Sequence, residues 1–266
     1  MSWLEALILG LLQGLTEFLP VSSSGHLELA GAIFKLEDPH DFFTFNIIVH
    51  GATFLSVVVV FWKDIVSLAV NFFKFEWNPE MKFTLLLLAS AVPTAIVGLL
   101  FEEQIESIFT EDNVVVIVGF MLLITATLLF LTRFVPKNDK DVTLKTALII
   151  GVAQTLAILP GISRSGATIS TALFFGIERT KAIRFSFLMV LIPIFGANFL
   201  KVIQMSEHTA EASTTAGPMI IGAIAAFIAG VAACKWMLNI VRRGKIEYFS
   251  IYCLIVGIAA IIIGSL

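Results

Sequence analysis

Gln13 and Glu17 stand four residues apart, the spacing that puts two side chains on one face of a helix. A carboxylate beside an amide offers hard oxygen ligands for Mg²⁺ or Ca²⁺, or else a proton acceptor. Pro20-Val21-Ser22-Ser23-Ser24-Gly25-His26 follows at once. Its serines offer a helix cap and hydroxyls for a substrate. His26 offers a general acid, a nucleophile or an oriented hydrogen-bond donor. A second run, Pro160-Gly161-Ile162-Ser163-Arg164-Ser165-Gly166, leads to Thr168. The fork of Arg164 suits bidentate phosphate recognition, and a Gly/Ser turn at a helix start presents N–H groups to an anion. We therefore expect Glu17, Ser23, His26 and Arg164 to carry the chemistry. Ser22, Ser24, Ser163, Arg164, Ser165, Gly166 and Thr168 are expected to bind phosphate, and Gln13 and Glu17 are the candidate metal ligands. Gln154 either orients a ligand or hydrogen-bonds backbone.

These polar residues lie in an apolar chain. Of 266 residues, 58% are hydrophobic and 14% charged, against about 25% charged in a soluble domain. That balance places the chain in the membrane class. A net charge of −3 without a basic stripe argues against a nucleic-acid partner. Cys234 and Cys253 sit in apolar stretches with neither metal nor disulfide spacing. No Lys or Arg precedes Lys35, so residues 1–35 are read as part of the working protein rather than a cleaved leader.

The elements that must position the polar residues follow from length. A spanning helix needs about 20 apolar residues. Six stretches qualify: Phe42–Trp62, Phe83–Leu100, Val114–Leu131, Phe185–Ile203, Pro218–Leu238 and Phe249–Leu266. Leu4–Phe34 and Leu144–Phe175 are apolar but broken by the two motifs, and we read each as a re-entrant pair of half-helices. Lys63, Lys74 and Lys82, then Arg133, Lys137, Lys140 and Lys145, then Arg179, Lys181 and Arg184, and lastly Lys235, Arg242, Arg243 and Lys245 mark four cytoplasmic connections. Glu37, Asp38 and Asp41, then Glu102, Glu103, Glu106, Glu111 and Asp112, then Glu207 and Glu211 mark the outside. An offset of about 141 residues lays Gly10, Gln13, Ser22, Ser24 and Gly25 on Gly151, Gln154, Ser163, Ser165 and Gly166. The expected fold is all-α and integral to the membrane, a single domain over 1–266. It is built as an inverted-topology repeat of approximately 1–133 and 144–266, with six transmembrane helices and two re-entrant pairs meeting near the midplane.

The segments Gly10–His26 and Pro160–Thr168 resemble the acidic motif, the serine-rich loop with His and the Pro-Gly-x-Ser-Arg-Ser-Gly motif of the undecaprenyl-diphosphate phosphatase family, also called bacitracin-resistance proteins. The likeness runs over essentially the whole chain. It implies hydrolysis of undecaprenyl diphosphate to undecaprenyl phosphate and inorganic phosphate, recycling the carrier lipid for peptidoglycan and conferring bacitracin resistance. It also implies dependence on a divalent cation, Mg²⁺ or Ca²⁺, and a multi-pass place in the bacterial cytoplasmic membrane with the active site facing the periplasm. The first acidic position of the motif is Glu or Gln, and here it is Gln13, so the site has one negative charge fewer than with Glu. The nucleophile is open between Ser23 and His26, with Ser23 attacking and His26 as acid/base the preferred arrangement. A polyprenyl-phosphate transporter or flippase on the same inverted repeat is the competing reading. A homo-oligomer is compatible with the sequence.

Overall fold

The computed structural model of the chain describes residues 1–34, 39–101, 104, 105, 107, 113–136, 139–207 and 216–265, without the side chains of 39–41 and 201–207. Several of the charged residues used to assign sides lie outside the described residues: Glu37, Asp38, Glu102, Glu103, Glu106, Glu111, Asp112, Lys137 and Glu211. The described residues are helical, apart from connections and an isolated bridge between Lys140 and Ile177.

The first broken region is α1 (Trp3–Phe18) and α2 (Ser23–Phe34). Ser2 and Glu5 close a reciprocal capping box at the start of α1. Pro20, which has no N–H, interrupts the chain, and Ser22 takes a left-handed φ of 69° that turns it into α2. Next come α3 (Pro39–Val60), α4 (Trp62–Phe72), α5 (Pro79–Leu100) and α6 (Val114–Leu131). Asn78 caps α5 through Met81 N–H with Pro79 at the first turn, which starts this helix ahead of the expected Phe83. The second broken region is α7 (Leu144–Leu156) and α8 (Arg164–Phe174). Gly161, at φ 100°, makes the turn between them, and Ser163 Oγ accepts from Gly166 N–H to cap α8. The chain finishes with α9 (Arg179–Met189), α10 (Leu191–Glu207), α11 (Ala216–Arg242) and α12 (Tyr248–Gly264).

Among the described residues five segments are long and apolar enough to cross a membrane: Phe42–Val60, Pro79–Leu100, Val114–Phe134, Arg179–Leu200 and Ala216–Arg242. The sixth expected span, Phe249–Leu266, corresponds to α12, whose 17 residues rise only about 26 Å. The fourth begins at Arg179, earlier than the expected Phe185, because Glu178 caps α9 by accepting from the N–H groups of Thr180 and Lys181.

With no water to squeeze out between helices in lipid, close backbone approach and dispersion hold them together. The helix α1 lies against α11 where Gly10 rests on Gly222, and a Cβ at Gly10 would penetrate the Gly222 carbonyl. Likewise α7 lies against α5, with Gly151 on the Ser90 carbonyl, and α12 lies against α6 at Gly257 and Gly119. Phe187 sits edge-on to both Phe18 and Phe61 in the core beneath the first break. Much of the outer surface is Ile, Leu, Val and Phe, as along Ile251, Ile255, Ile258 and Ile262 of α12, which is the surface a bilayer demands.

Candidate active site

The two breaks meet. Ser22, at the first turn, accepts through Oγ from Gly25 N–H and, across 139 positions of sequence, from Gly161 N–H at 3.1 Å. Thr125 of α6 braces the second turn, donating to Gly161 O and accepting from Ser163 N–H, both at 3.0 Å. Ser165 Oγ donates to Leu19 O, tying the start of α8 to the end of α1. A Cβ on Gly25 would sit about 3.0 Å from the Gly161 backbone, so the two loops pack main chain to main chain.

That junction aims Arg164 at Glu17. The guanidinium Nη2 donates to Glu17 Oε1 at 3.2 Å. Ser23 Oγ donates to Glu17 Oε2 at 2.6 Å, and Gln13 Nε2 donates to the same oxygen at 3.1 Å. The Glu17 side chain is 5% exposed, while that of Arg164 is 26% exposed. A buried carboxylate is costly unless a charge partner and hydrogen bonds satisfy it, and here it has both. Arg164 therefore balances Glu17 with one edge and reaches solvent or substrate with its remaining N–H groups. The Gln13 amide also donates to Thr53 Oγ1 of α3 at 3.4 Å, which leaves its Oε1 buried without a hydrogen-bond partner.

Of the residues expected to carry the chemistry, Glu17, Ser23 and Arg164 converge, and Gln13 joins them. His26 lies to one side. Its Nδ1 meets Ser22 O at 2.7 Å and its Nε2 meets Tyr252 Oη at 2.8 Å. Since a carbonyl only accepts, Nδ1 carries a proton, and in the neutral ring Nε2 accepts from the Tyr252 hydroxyl. Ser23 donates to Glu17, not to His26. Ser163, Ser165 and Thr168 commit their hydroxyls to the protein itself: a cap, a cross-link to Leu19, and a bond from Thr168 Oγ1 to Arg164 O at 2.9 Å. Ser22 and Ser24 are 3.4 Å apart through their hydroxyls. Gln154, the counterpart of Gln13, stays outside the cluster and donates to Thr94 on α5.

Sequence reasoning missed two residues. His50 of α3 points Nε2 to within 3.9 Å of Glu17 Oε2, with Nδ1 donating to Asn46 O. An ionisable side chain inside an apolar span is a signal that would have found it. Tyr252 of α12 carries no such signal, since the stretch Phe249–Leu266 reads only as an apolar span. Among the described residues no group of three or more His, Cys, Asp or Glu is arranged around a common metal position.

Lipid-exposed helices around a buried carboxylate, guanidinium and hydroxyl define a multi-pass membrane protein with a polar centre suited to an anionic group. Comparison with known proteins places it further. Residues 6–259 match the family model described as bacitracin resistance protein BacA, and the chain belongs to that family. It is 50% identical over 261 residues to an undecaprenyl-diphosphatase of Christiangramia forsetii, covering 97% of each chain. It is 47% identical over 268 residues to an undecaprenyl-diphosphatase of Bacteroides fragilis, covering 100% of each. An undecaprenyl-diphosphatase of Korarchaeum cryptofilum is 42% identical over 265 residues, covering 96% of this chain and 97% of its own.

Proposed function

We propose that this protein is an undecaprenyl-diphosphatase, converting undecaprenyl diphosphate to undecaprenyl phosphate and inorganic phosphate. The observation that carries the reading is the Ser23–Glu17–Arg164 cluster at the junction of two helix breaks. The relatives supply the substrate, and the cluster supplies the chemistry. Their names refer to hydrolysis, which disfavours the transporter alternative.

Arg164 grips the terminal phosphate with the N–H groups that Glu17 leaves free. Ser23 Oγ attacks the terminal phosphorus while its proton passes to Glu17 Oε2, 2.6 Å away. The anhydride P–O bond breaks, and undecaprenyl phosphate leaves with the bridging oxygen. Water then displaces phosphate from Ser23, and Glu17 returns the proton to Oγ. Glu17 thus holds the base role, and His26, held by Tyr252 and Ser22, orients the serine loop. Glu17 and the unpartnered Gln13 Oε1 offer hard oxygen donors and would be the residues to hold a divalent cation, Mg²⁺ or Ca²⁺. When bound, such an ion neutralises charge on the phosphate oxygens.

In this reading the two broken regions are re-entrant and the halves are inverted repeats, with α12 as a sixth crossing. The paired close approaches, Gly10 on Gly222 and Gly151 on Ser90, support it, because equivalent elements of the two halves meet in equivalent ways. The basic connections face the cytoplasm and the site faces the periplasm, where carrier lipid is recycled and bacitracin acts. Phosphate release from undecaprenyl diphosphate by purified protein tests the reaction. We expect turnover with Mg²⁺ or Ca²⁺, its loss on chelation, and falls on the order of 10²–10⁴-fold in Ser23→Ala, Glu17→Gln and Arg164→Ala. No release by the wild type, or wild-type rates in Arg164→Ala, sinks the reading.

A further inference from the structure

At the basic end of the molecule, remote in sequence from Glu17 and Ser23, three arginines line a cavity of about 280 Å³. Arg179 comes from the first position of α9, and Arg242 and Arg243 come from the end of α11. Gly244 turns the chain with φ 68°, and a Cβ there would collide with the Arg179 guanidinium. Glycine at this position leaves open the space that the Arg179 guanidinium fills at the end of α11.

Like charges brought together need an anion. Among the described residues the ion pairs involve His50, Arg164, Lys181 and Arg184, and none of these three arginines. Glu178 also lines the cavity, but its two carboxylate oxygens accept from the N–H groups of Thr180 and Lys181, each at 2.9 Å. Both oxygens are thus committed to the start of α9 and form no ion pair with the arginines, whose three guanidinium charges outnumber this single carboxylate.

An open groove of about 470 Å³ adjoins the cavity, and Val135 and Pro136 belong to the walls of both. Its apolar lining is Leu131, Phe134, Phe174 and Phe175, all exposed. Leu131 ends the apolar span α6, so the groove runs from the membrane region toward the arginines just beyond it. Alkyl chain first and phosphate second is the order of groups in a phospholipid entering from the bilayer.

We propose that this cavity and groove form a binding site for an anionic phospholipid, with the headgroup phosphate among Arg179, Arg242 and Arg243 and an alkyl chain along Phe134 and Phe174. The site shares no residue with the catalytic cluster and stands whether or not the phosphatase reading does. A free phosphate has the same headgroup chemistry, so the test separates the two.

The full chain in detergent is titrated, under native mass spectrometry, with dioctanoyl phosphatidylglycerol, dioctanoyl phosphatidylcholine and inorganic phosphate. The expected result is one bound phosphatidylglycerol at an affinity at least ten times that of either other probe. The Arg179→Gln/Arg242→Gln/Arg243→Gln variant should lose at least tenfold, and a Lys63→Gln/Lys74→Gln/Lys145→Gln control, which removes as many positive charges, should lose little. The triple variant keeps Arg164, so the difference from wild type reports this site alone. Thermal midpoints check folding, and the exposed Arg243→Gln single change, with a smaller loss, serves if the triple variant unfolds. Equal binding of the two lipids, an equal loss in the lysine control, or unchanged binding in the arginine variants overturns the proposal. Phosphate binding as tightly as phosphatidylglycerol overturns the lipid assignment in favour of a free-anion site.

Discussion

At Glu17 one carboxylate satisfies Ser23, Gln13 and Arg164 at once, and in the proposed reaction that sharing selects the Ser23 hydroxyl as the one to lose its proton. Tyr252 acts a step further out, through His26. Tyr252→Phe removes the donor to Nε2 and leaves the ring in place, so we expect turnover to fall on the order of 10-fold with little change in the melting temperature. Combined with His26→Ala it should add nothing further, and a double-mutant cycle of phosphate-release rates checks this. Full additivity would separate the two residues. The charged members of this site are legible in sequence, since Glu17 and Arg164 interrupt apolar runs where ionisable groups have little reason to be. His50 obeys the same rule. Tyr252 does not, because its role depends on a contact across 226 positions that no local pattern encodes.

Among the elements, the broken helices are positioned by close-packed backbones. Gly10→Val would drive a branched side chain into the Gly222 carbonyl and push α1 off α11. We expect a loss of roughly 1–3 kcal/mol, with a larger loss of activity, because Gln13 and Glu17 ride on the same helix. A detergent melt beside a phosphate-release assay reads both, and unchanged values in both would contradict the packing described. Glu178 sets a second boundary. Burial pushes its carboxyl up, but the N–H bonds of Thr180 and Lys181 outweigh that and hold it below the ordinary carboxylate range. Because the folded state lowers this pKa, its contribution is present above the ordinary carboxylate range and fades as pH falls through the lowered value. Glu178→Ala should cost about 1 kcal/mol at neutral pH, with the gap from wild type narrowing in acid melts. The breaks themselves are legible from Pro and Gly. The start of α9 is not, because Arg179-Thr180-Lys181 reads as a polar connection until the cap is seen.

For the whole molecule, the charge map makes a topological statement. Lys63, Lys145 and Arg242 should face one side of the membrane, and Asn113, at the start of α6, the other. Single cysteines at these positions in a Cys234→Ala/Cys253→Ala background should label from opposite sides in sealed vesicles, and same-side labelling would refute the inverted arrangement. The apolar class of the fold is plain from composition. The length of α12 is not, because the expected span Phe249–Leu266 runs past the C-cap at Ser265, where the helix closes. The seat of Gly10 on Gly222 also bears on how the protein is made. Synthesis delivers α1 before its partner α11, with the intervening helices and the second break made in between. The segment that carries Glu17 thus enters the bilayer long before its permanent neighbour exists, and its glycine face stays uncovered until α11 follows. Maturation of the site becomes a late event in biogenesis, timed by the arrival of a helix that donates no catalytic group.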